Sequence, residues 1–330
     1  SSMGEKGAHQ PPSPEMTVKV TEARSAQQVL PSTRRVLPRE MYGFLFVGPA
    51  ILFFILVSIF PLLRTFQMSL IDVEAGIPLF VGIQHYAELV QDPWFWSSLT
   101  NAFVFTVASV ILHIFIGMVL AILLNETWFS TTLRNIMRGL LILPWVFSTA
   151  SAGLMWTLLY HPFGLLNYLW VGLLGQEMPI EFLAKPGLAM ASVVAVNTWK
   201  AYPFYMIIIL GGLQAIPPEL YEAAKVDGAN ASRRFWHVTL PQLRPILIAI
   251  STIDIITTVG HVDLIRMLTR GGPLRSTETV AYYIYKTALL DGNLGYGAAV
   301  STLMLIMVAI LIIVYLRLVS RGSESGETSF

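Results

Sequence analysis

The chain has no cysteine and little charge: of its 330 residues, only 12% are Asp, Glu, Lys or Arg. Without cysteine there are no disulfides, thiolate metal sites or cysteine nucleophiles. The charged share is about half that of an ordinary soluble domain. A G-x-x-x-x-G-K-[ST] phosphate loop is also missing, so nucleotide hydrolysis by that chemistry is excluded for this chain alone. The formal net charge is +1, with no basic stripe interleaved with aromatics, which leaves no electrostatic footprint for nucleic acid. The histidines have no carboxylate or second histidine at metal-binding spacing, and no metal site is expected.

What the chain has instead is apolar length. Hydrophobic residues make up 55% of it, and they collect in blocks of about 20 or more, the length that crosses a hydrocarbon core of about 30 Å. Six such blocks are read at 42–63, 99–124, 136–159, 187–213, 246–265 and 297–318. Each is expected to be a helix, because open strands or loops in lipid leave backbone groups unpaired. The expected fold class is therefore an all-α membrane protein with six transmembrane helices. The fifth block is the least regular, since it holds Asp254, His261 and Asp263. Gly48-Pro49, Pro61 and Pro144 read as kinks, and His113 as an isolated, packed interhelical donor rather than a ligand.

Residues 1–40 are rich in Pro, Ser and Gln and carry no apolar run, which reads as a disordered tail. No short apolar stretch with a small-residue cleavage site precedes the first block, so a cleaved signal peptide is not expected. The membrane domain is read at 41–320 and a C-terminal tail at 321–330. On the side shared by both termini stand eleven positive residues, among them Arg34, Arg35, Arg134, Arg138, Arg233, Arg234 and Arg317. The opposite side has six: Arg64, Lys185, Arg266, Arg270, Arg275 and Lys286. The positive-inside rule places both termini and the 214–245 loop in the cytoplasm. Between the last two blocks, Val280, Ile284 and Ala288 recur every four residues, which suggests a helix along the outer surface; an ordered loop packed on its neighbours is the alternative.

The longest connection on the cytoplasmic side, within 216–245, reads as two short helices. Pro217 and Pro218 suit a helix start, Glu219 and Glu222 sit at its positive end, and Gly228 can end it with a left-handed cap. A second helical stretch at 229–238 is expected to stop where Leu240-Pro241 turns the chain back to the membrane.

This segment resembles the EAA loop of ABC importer permeases: Glu222-Ala223-Ala224, then Gly228, then Val238 and Leu240-Pro241. The one departure is Val238, where that pattern usually has Ile. Trp199-Lys200-Ala201-Tyr202-Pro203-Phe204, Leu213-Gln214-Ala215-Ile216-Pro217, Leu268-Thr269-Arg270-Gly271-Gly272-Pro273 and Asn293-Leu294-Gly295-Tyr296-Gly297-Ala298-Ala299 resemble the carbohydrate-importing subgroup, typified by the larger membrane subunit of the maltose importer. The resemblance implies a type I importer permease fold in the bacterial cytoplasmic (inner) membrane. It implies ATPase coupling through Glu222, Ala223, Ala224, Asp227, Gly228, Leu240 and Pro241. The implied partners are a second homologous permease, two cytoplasmic ABC ATPase subunits that hold ATP and Mg, an extracytoplasmic solute-binding protein and a carbohydrate substrate. No cofactor is expected in this chain, and the chain is expected to be a transporter subunit, not an enzyme.

Ionisable residues inside a span cost about 2.5–3.5 kcal/mol each on insertion scales, so they mark candidate pathway positions. Asp254, Thr258 and His261 share one helical face, and Asn197, Lys200 and Phe204 another. Together they offer donors, acceptors and an aromatic surface suited to a sugar. In the maltose-type relatives Asn197 matches a sugar-contacting asparagine and Phe204 a contacting tyrosine; the fifth-span residues do not match. The competing reading is that Asp254, Lys200 and His261 only pair with neighbouring helices. An acidic oligosaccharide, a polyol or a glycerophosphodiester remain alternative solutes. An ion-coupled secondary transporter is a rival, although no internal repeat supports it; a non-transporting membrane receptor is another.

Overall fold

A computed structural model describes the backbone of residues 39–74, 77–126 and 128–327; the tail expected at 1–40 lies outside them except for its last two residues. The chain divides into two compact units, Ser1–Ile59 and Phe60–Phe330. The first contains helix Arg39–Phe54 (α1), with Pro49 inside it, followed by a π turn at Ile55–Ile59. The second opens with Phe60–Met68 (α2) and a two-stranded antiparallel hairpin, Ile71–Glu74 (β1) and Ile77–Phe80 (β2), in which Ile71 faces Phe80.

Beyond the hairpin lie Gln84–Gln91 (α3) and Pro93–Asn125 (α4). The start of α4 is set by Pro93, whose missing N–H is unneeded there, and by Asp92, whose side chain accepts from Trp94 N–H at 2.9 Å. Arg138 and Arg134 hydrogen-bond the carbonyls of Leu124 and Glu126 at its other end, where a helix leaves carbonyls unpaired. Pro186–Ala215 (α8) packs along α4 more extensively than any other helix pair. Gly117 permits this approach: a Cβ there would lie 2.5 Å from Tyr205 Cβ and 3.1 Å from Met206 N.

The block expected at 136–159 is not one straight span. It is Thr131–Val146 (α5) and Thr149–Leu159 (α6), bent by 98° at the break. Pro144 removes a backbone bond near the end of α5, Phe147 is extended, and Ser148 starts the next helix by accepting from Ser151 N–H. Among the described residues, five helical stretches are therefore long and apolar enough to cross a membrane unbroken, and six if this bent pair counts as one. After α6 come Leu165–Tyr168 (α7), a π turn at Leu169–Leu173 and α8.

Past α8 the chain forms Pro218–Val226 (α9) and Ala231–Arg234 (α10), a π turn at Phe235–Thr239 and Leu240–Val259 (α11). The expected turn at Leu240-Pro241 is absent; the helix runs straight into the fifth span. Pro241 lacks the N–H that would bond the carbonyl of His237, and the π turn just before it relaxes that clash. The same arrangement precedes Pro61, two residues past the π turn at Ile55–Ile59. The fifth block also ends early: Gly260 closes α11, and Asp263–Leu268 (α12) is a separate short helix.

The outer segment contains a helix, Val280–Tyr285 (α13), extended by a π turn at Lys286–Leu290. It does not lie loose on the surface: Val280 and Tyr283 are buried in one cluster with Phe95, Ala102 and Val300, and Tyr282 in another with Leu264. Leu294–Glu327 (α14) completes the fold, so the predicted C-terminal tail continues the last helix through Glu327. The interior is built mainly by one face each of α4, α8 and α11, including Ala121, Leu124, Met206, Ile209, Leu213, Leu243 and Ile250. Large apolar side chains such as Phe103, Ile111, Phe115 and Ile310 remain exposed, as expected of helices solvated by lipid rather than water.

Candidate functional site

Trp145 of α5, the middle of α8 and the far half of α11 enclose a cavity of about 240 Å³. Its wall contains Asn197, Lys200, Phe204, Asp254 and His261, so the structure brings together five of the six residues expected to line a pathway. Thr258 is the exception. It is buried behind the wall, where its hydroxyl donates to Asp254 Oδ1 at 3.0 Å, and Thr257 takes the lining position.

The periodicity of two helices accounts for this convergence. Asn197, Lys200 and Phe204 advance by three and four residues along α8, and Asp254, Thr257 and His261 advance by three and four along and just past α11. Pro203 sits inside α8 beside them. Phe204 stacks on Trp145 with ring centroids 6.1 Å apart and planes at 30°. Asn197 is 2% exposed, and its Nδ2 has no hydrogen-bond partner among the described residues. Tyr202 turns away and donates to the Leu141 carbonyl at 3.1 Å.

Asp254 has two roles in this geometry. It reaches the cavity wall, yet three donors hold it: Thr258, Tyr205 Oη–H at 2.8 Å, and His113 Nδ1–H at 2.7 Å. His113 is thus not isolated. Sequence reasoning had no way to see α4 and α11 face each other, although the insertion penalty for a lone carboxylate signalled that Asp254 needs a partner. Trp145 was missed as well, because it lies on the broken third span, which carried no polar signal.

The second candidate site is the α9–α10 segment. Glu222 and Ala223 are exposed and Ala224 is half-buried. Asp227 caps α9, and Gly228 adopts a left-handed φ of +75° that an L side chain resists. Ala229 N–H bonds the Ala224 carbonyl at 2.9 Å, a closure that satisfies carbonyls left open at the helix end. Lys225 Nζ lies 2.8 Å from Glu222 Oε1; that hydrogen bond, then the charge itself, holds the Glu222 carboxyl below its usual range. Tyr221 Oη pairs with Thr239 Oγ1 at 3.0 Å and ties α9 to the π turn that leads into α11. Leu240 is half-buried and Pro241 exposed. Val226 is 89% exposed and Trp236 60% exposed, so this segment presents apolar side chains on its surface.

Comparison with known proteins places these features in context. The sequence profile of the family described as binding-protein-dependent transport system inner membrane component matches residues 113–322. The trehalose/maltose transport system permease protein of Thermococcus litoralis is 34% identical over 278 residues, covering 83% of this chain and 92% of that protein. The sulfoquinovosyl glycerol transport system permease protein of Agrobacterium fabrum is 33% identical over 305 residues, covering 91% and 97%. In the crystal structure of a bacterial ABC transporter involved in importing the acidic polysaccharide alginate, one chain superposes with a TM-score of 0.73 at 22% identity, covering 86% of this chain and 96% of that one.

Proposed function

The chain belongs to the family of binding-protein-dependent transport system inner membrane components, and on that premise we propose that it forms half of the translocation pathway for a sugar or oligosaccharide. Its fold is that of ABC importer permeases. The cavity between α8 and α11 carries this reading. Inside a bundle of membrane-crossing helices it gathers an amide whose Nδ2 has no partner among the described residues, an ammonium, a carboxylate and a stacked aromatic pair. Hydroxyl-rich solutes need donors and acceptors around their rim and an aromatic plane against their apolar face.

The remaining parts of the importer follow from the α9–α10 segment. A second homologous permease completes the pathway, and an extracytoplasmic binding protein delivers the solute. Two ATPase subunits, which bind ATP and Mg, receive the exposed face of α9 through Glu222, Ala223, Ala224, Asp227 and Gly228. Leu240 and Pro241 join that face to α11, and the helix carries movement of the loop into the wall of the cavity. In this reading the segment and both termini lie in the cytoplasm, supported by the distribution of arginine and lysine. The chain needs no cofactor of its own.

A second solute class has one observation in its favour. Lys200 makes no ion pair among the described residues, whereas Asp254 is fully engaged by His113, Tyr205 and Thr258. An acidic sugar would use that ammonium. The test is uptake by the complex purified with its own binding protein, whose bound ligand is identified by mass spectrometry. Uptake of that ligand that requires the ATPase subunits and ATP supports the reading. Uptake driven by an ion gradient without them overturns it.

A further inference from the structure

Four of the six cations on the side opposite α9, Arg266, Arg270, Arg275 and Lys286, fall into two kinds. Arg275 and Lys286 both engage Glu278, which is 2% exposed: the Arg275 guanidinium bonds Oε1, and Lys286 Nζ lies 3.6 Å from Oε2. Arg275 also stacks over Trp94, 4.2 Å from the ring centroid. These two are structural, sharing one buried carboxylate.

Arg266 and Arg270 differ. Neither forms an ion pair or a side-chain hydrogen bond among the described residues, and Asp263, one turn before Arg266 on α12, is outside pairing distance. Both are exposed, and they border a concave pocket of about 410 Å³ floored by Met267, Tyr282, Tyr285 and Leu290. Arg266 lies 5.1 Å over the Tyr285 ring, which orients its guanidinium while leaving its N–H donors unpaired.

Arg270 is fixed at its backbone rather than its side chain. Its φ is +50°, a left-handed conformation that a side-chain-bearing residue adopts at some energetic cost. The loop enforces it with Arg270 N–H on the Ile265 carbonyl at 2.8 Å, Gly272 N–H on the Thr269 carbonyl at 3.0 Å and Thr277 Oγ1–H on the Gly272 carbonyl at 2.8 Å. Gly271 lets the loop rest on Tyr282, since a Cβ there would lie 3.0 Å from the ring. Two arginines thus stand at the rim of one pocket, Arg266 oriented on Tyr285 and Arg270 rooted in a fixed loop, with no ion-pair partner among the described residues.

We propose that the Arg266–Arg270 pocket is the seat for an acidic side chain, Asp or Glu, on the extracytoplasmic binding protein, so that docking inserts a carboxylate between the two guanidiniums. The inference rests on the importer reading above and adds the docking residues and the chemistry they select. Arginine presents paired N–H donors that match a carboxylate in two places. A pre-organised rim loses little freedom on docking. The exposed position also suits steering of an oppositely charged partner, which raises its rate of encounter. The floor of tyrosines, Met267 and Leu290 supplies the apolar contact that buries such a pair.

The experiment uses the complete importer in proteoliposomes with its cognate binding protein, and reads ATPase stimulation against binding-protein concentration. The variant R266E/R270E is expected to need about tenfold more binding protein for half-maximal stimulation, as loss of a close interfacial charge pair requires, with its basal and maximal rates retained. R266K/R270K keeps the charge but not the paired donors and recovers part of the loss, which separates docking from misfolding. A binding protein with its contacting acid changed to lysine restores stimulation of R266E/R270E. Unchanged half-saturation in R266E/R270E overturns the proposal. A shift that appears only in solute concentration, at saturating binding protein, also overturns it, because the anion then belongs to the solute. Failure of the unmodified importer to respond to any binding protein overturns the importer reading itself, and the docking assignment with it.

Discussion

His113 Nδ1 donates to Asp254 Oδ2 across 2.7 Å, joining the middle of α4 to the middle of α11. The contact is buried, and Asp254 also lies in the wall of the cavity. A packing bond and a pathway position thus share one side chain. Substitutions of Asp254 will therefore act on stability and on transport together, whereas His113, away from the wall, will act on stability first.

His113→Ala leaves the Asp254 carboxylate with two donors instead of three in a region with little water. Removing one hydrogen-bond partner of a buried group typically costs about 1–3 kcal/mol, and the surviving Tyr205 and Thr258 bonds limit the loss. Thermal unfolding of the purified complex measures it. H113A/D254N is expected to be less destabilised than the sum of the single changes; strict additivity would mean that the two residues do not interact.

Gly117→Ala forces its new Cβ to within 2.5 Å of Tyr205 Cβ, with Met206 N next at 3.1 Å. Backbone cannot swing aside as a flexible side chain can, so α4 and α8 must separate, at about 1–3 kcal/mol. Gly139→Ala, with nothing within 4 Å, serves as the control and should be neutral or mildly stabilising. Equal melting temperatures for the two variants would contradict the close packing.

Asn197→Ala is expected to lower uptake by up to about tenfold, the loss of one hydrogen bond to the solute, while the complex still assembles. The Nδ2 group it removes has no hydrogen-bond partner among the described residues. Uptake equal to that of the unmodified importer would remove Asn197 from the pathway.

Gly228→Val meets the left-handed φ of +75°, where a β-branched side chain is strained by about 1–2 kcal/mol, and reshapes the end of α9. Glu222→Ala removes an exposed carboxylate and its Lys225 partner contact without disturbing the interior. Both are expected to keep expression and lose transport per ATP hydrolysed. Parallel assays of ATPase and uptake decide it, and full transport by the double variant would exclude a coupling role.

Asp92 predicts an acid response. Burial works to raise its carboxyl, but hydrogen bonds from Tyr283, Trp94 N–H and Tyr296 outweigh it and hold it below the ordinary value of 3.8. A carboxyl depressed in the folded state contributes stability above the unfolded value, and loses it as pH falls through the lower folded one. The unmodified protein should therefore lose stability below about pH 4 more steeply than Asp92→Asn. Identical pH profiles would rule out this contribution. At the other extreme, burial and then the bond to Asp92 push the Tyr283 hydroxyl up to about 12, so it remains a donor throughout the neutral range.

Local chemistry explains which parts of the fold were legible. Pro217-Pro218 at the start of α9, Gly228 after it and the apolar length of each block act within a few residues, and each was readable without knowing what lay across the bundle. Pro144 signalled a kink in the 136–159 block, but not the full break at Phe147–Ser148, because Ser148 caps α6 only once the chain has already turned. Continuity through Leu240-Pro241 was misjudged for a related reason. Proline forbids one backbone bond, and a π turn one step earlier absorbs the loss in a way no residue count shows.

Membrane class, the faces of α8 and α11 and the short helices of the α9–α10 segment were determined by the sequence alone, since each depends on composition or on periodicity along one helix. Which face meets which was decided only by the tertiary structure. Gly117 brings α4 and α8 into contact, His113 finds Asp254, and Thr258 is drawn out of the wall to hold that carboxylate. A buried charge must be satisfied by whatever lies nearest in space, and proximity between helices more than a hundred residues apart is set by packing, which no single helix encodes.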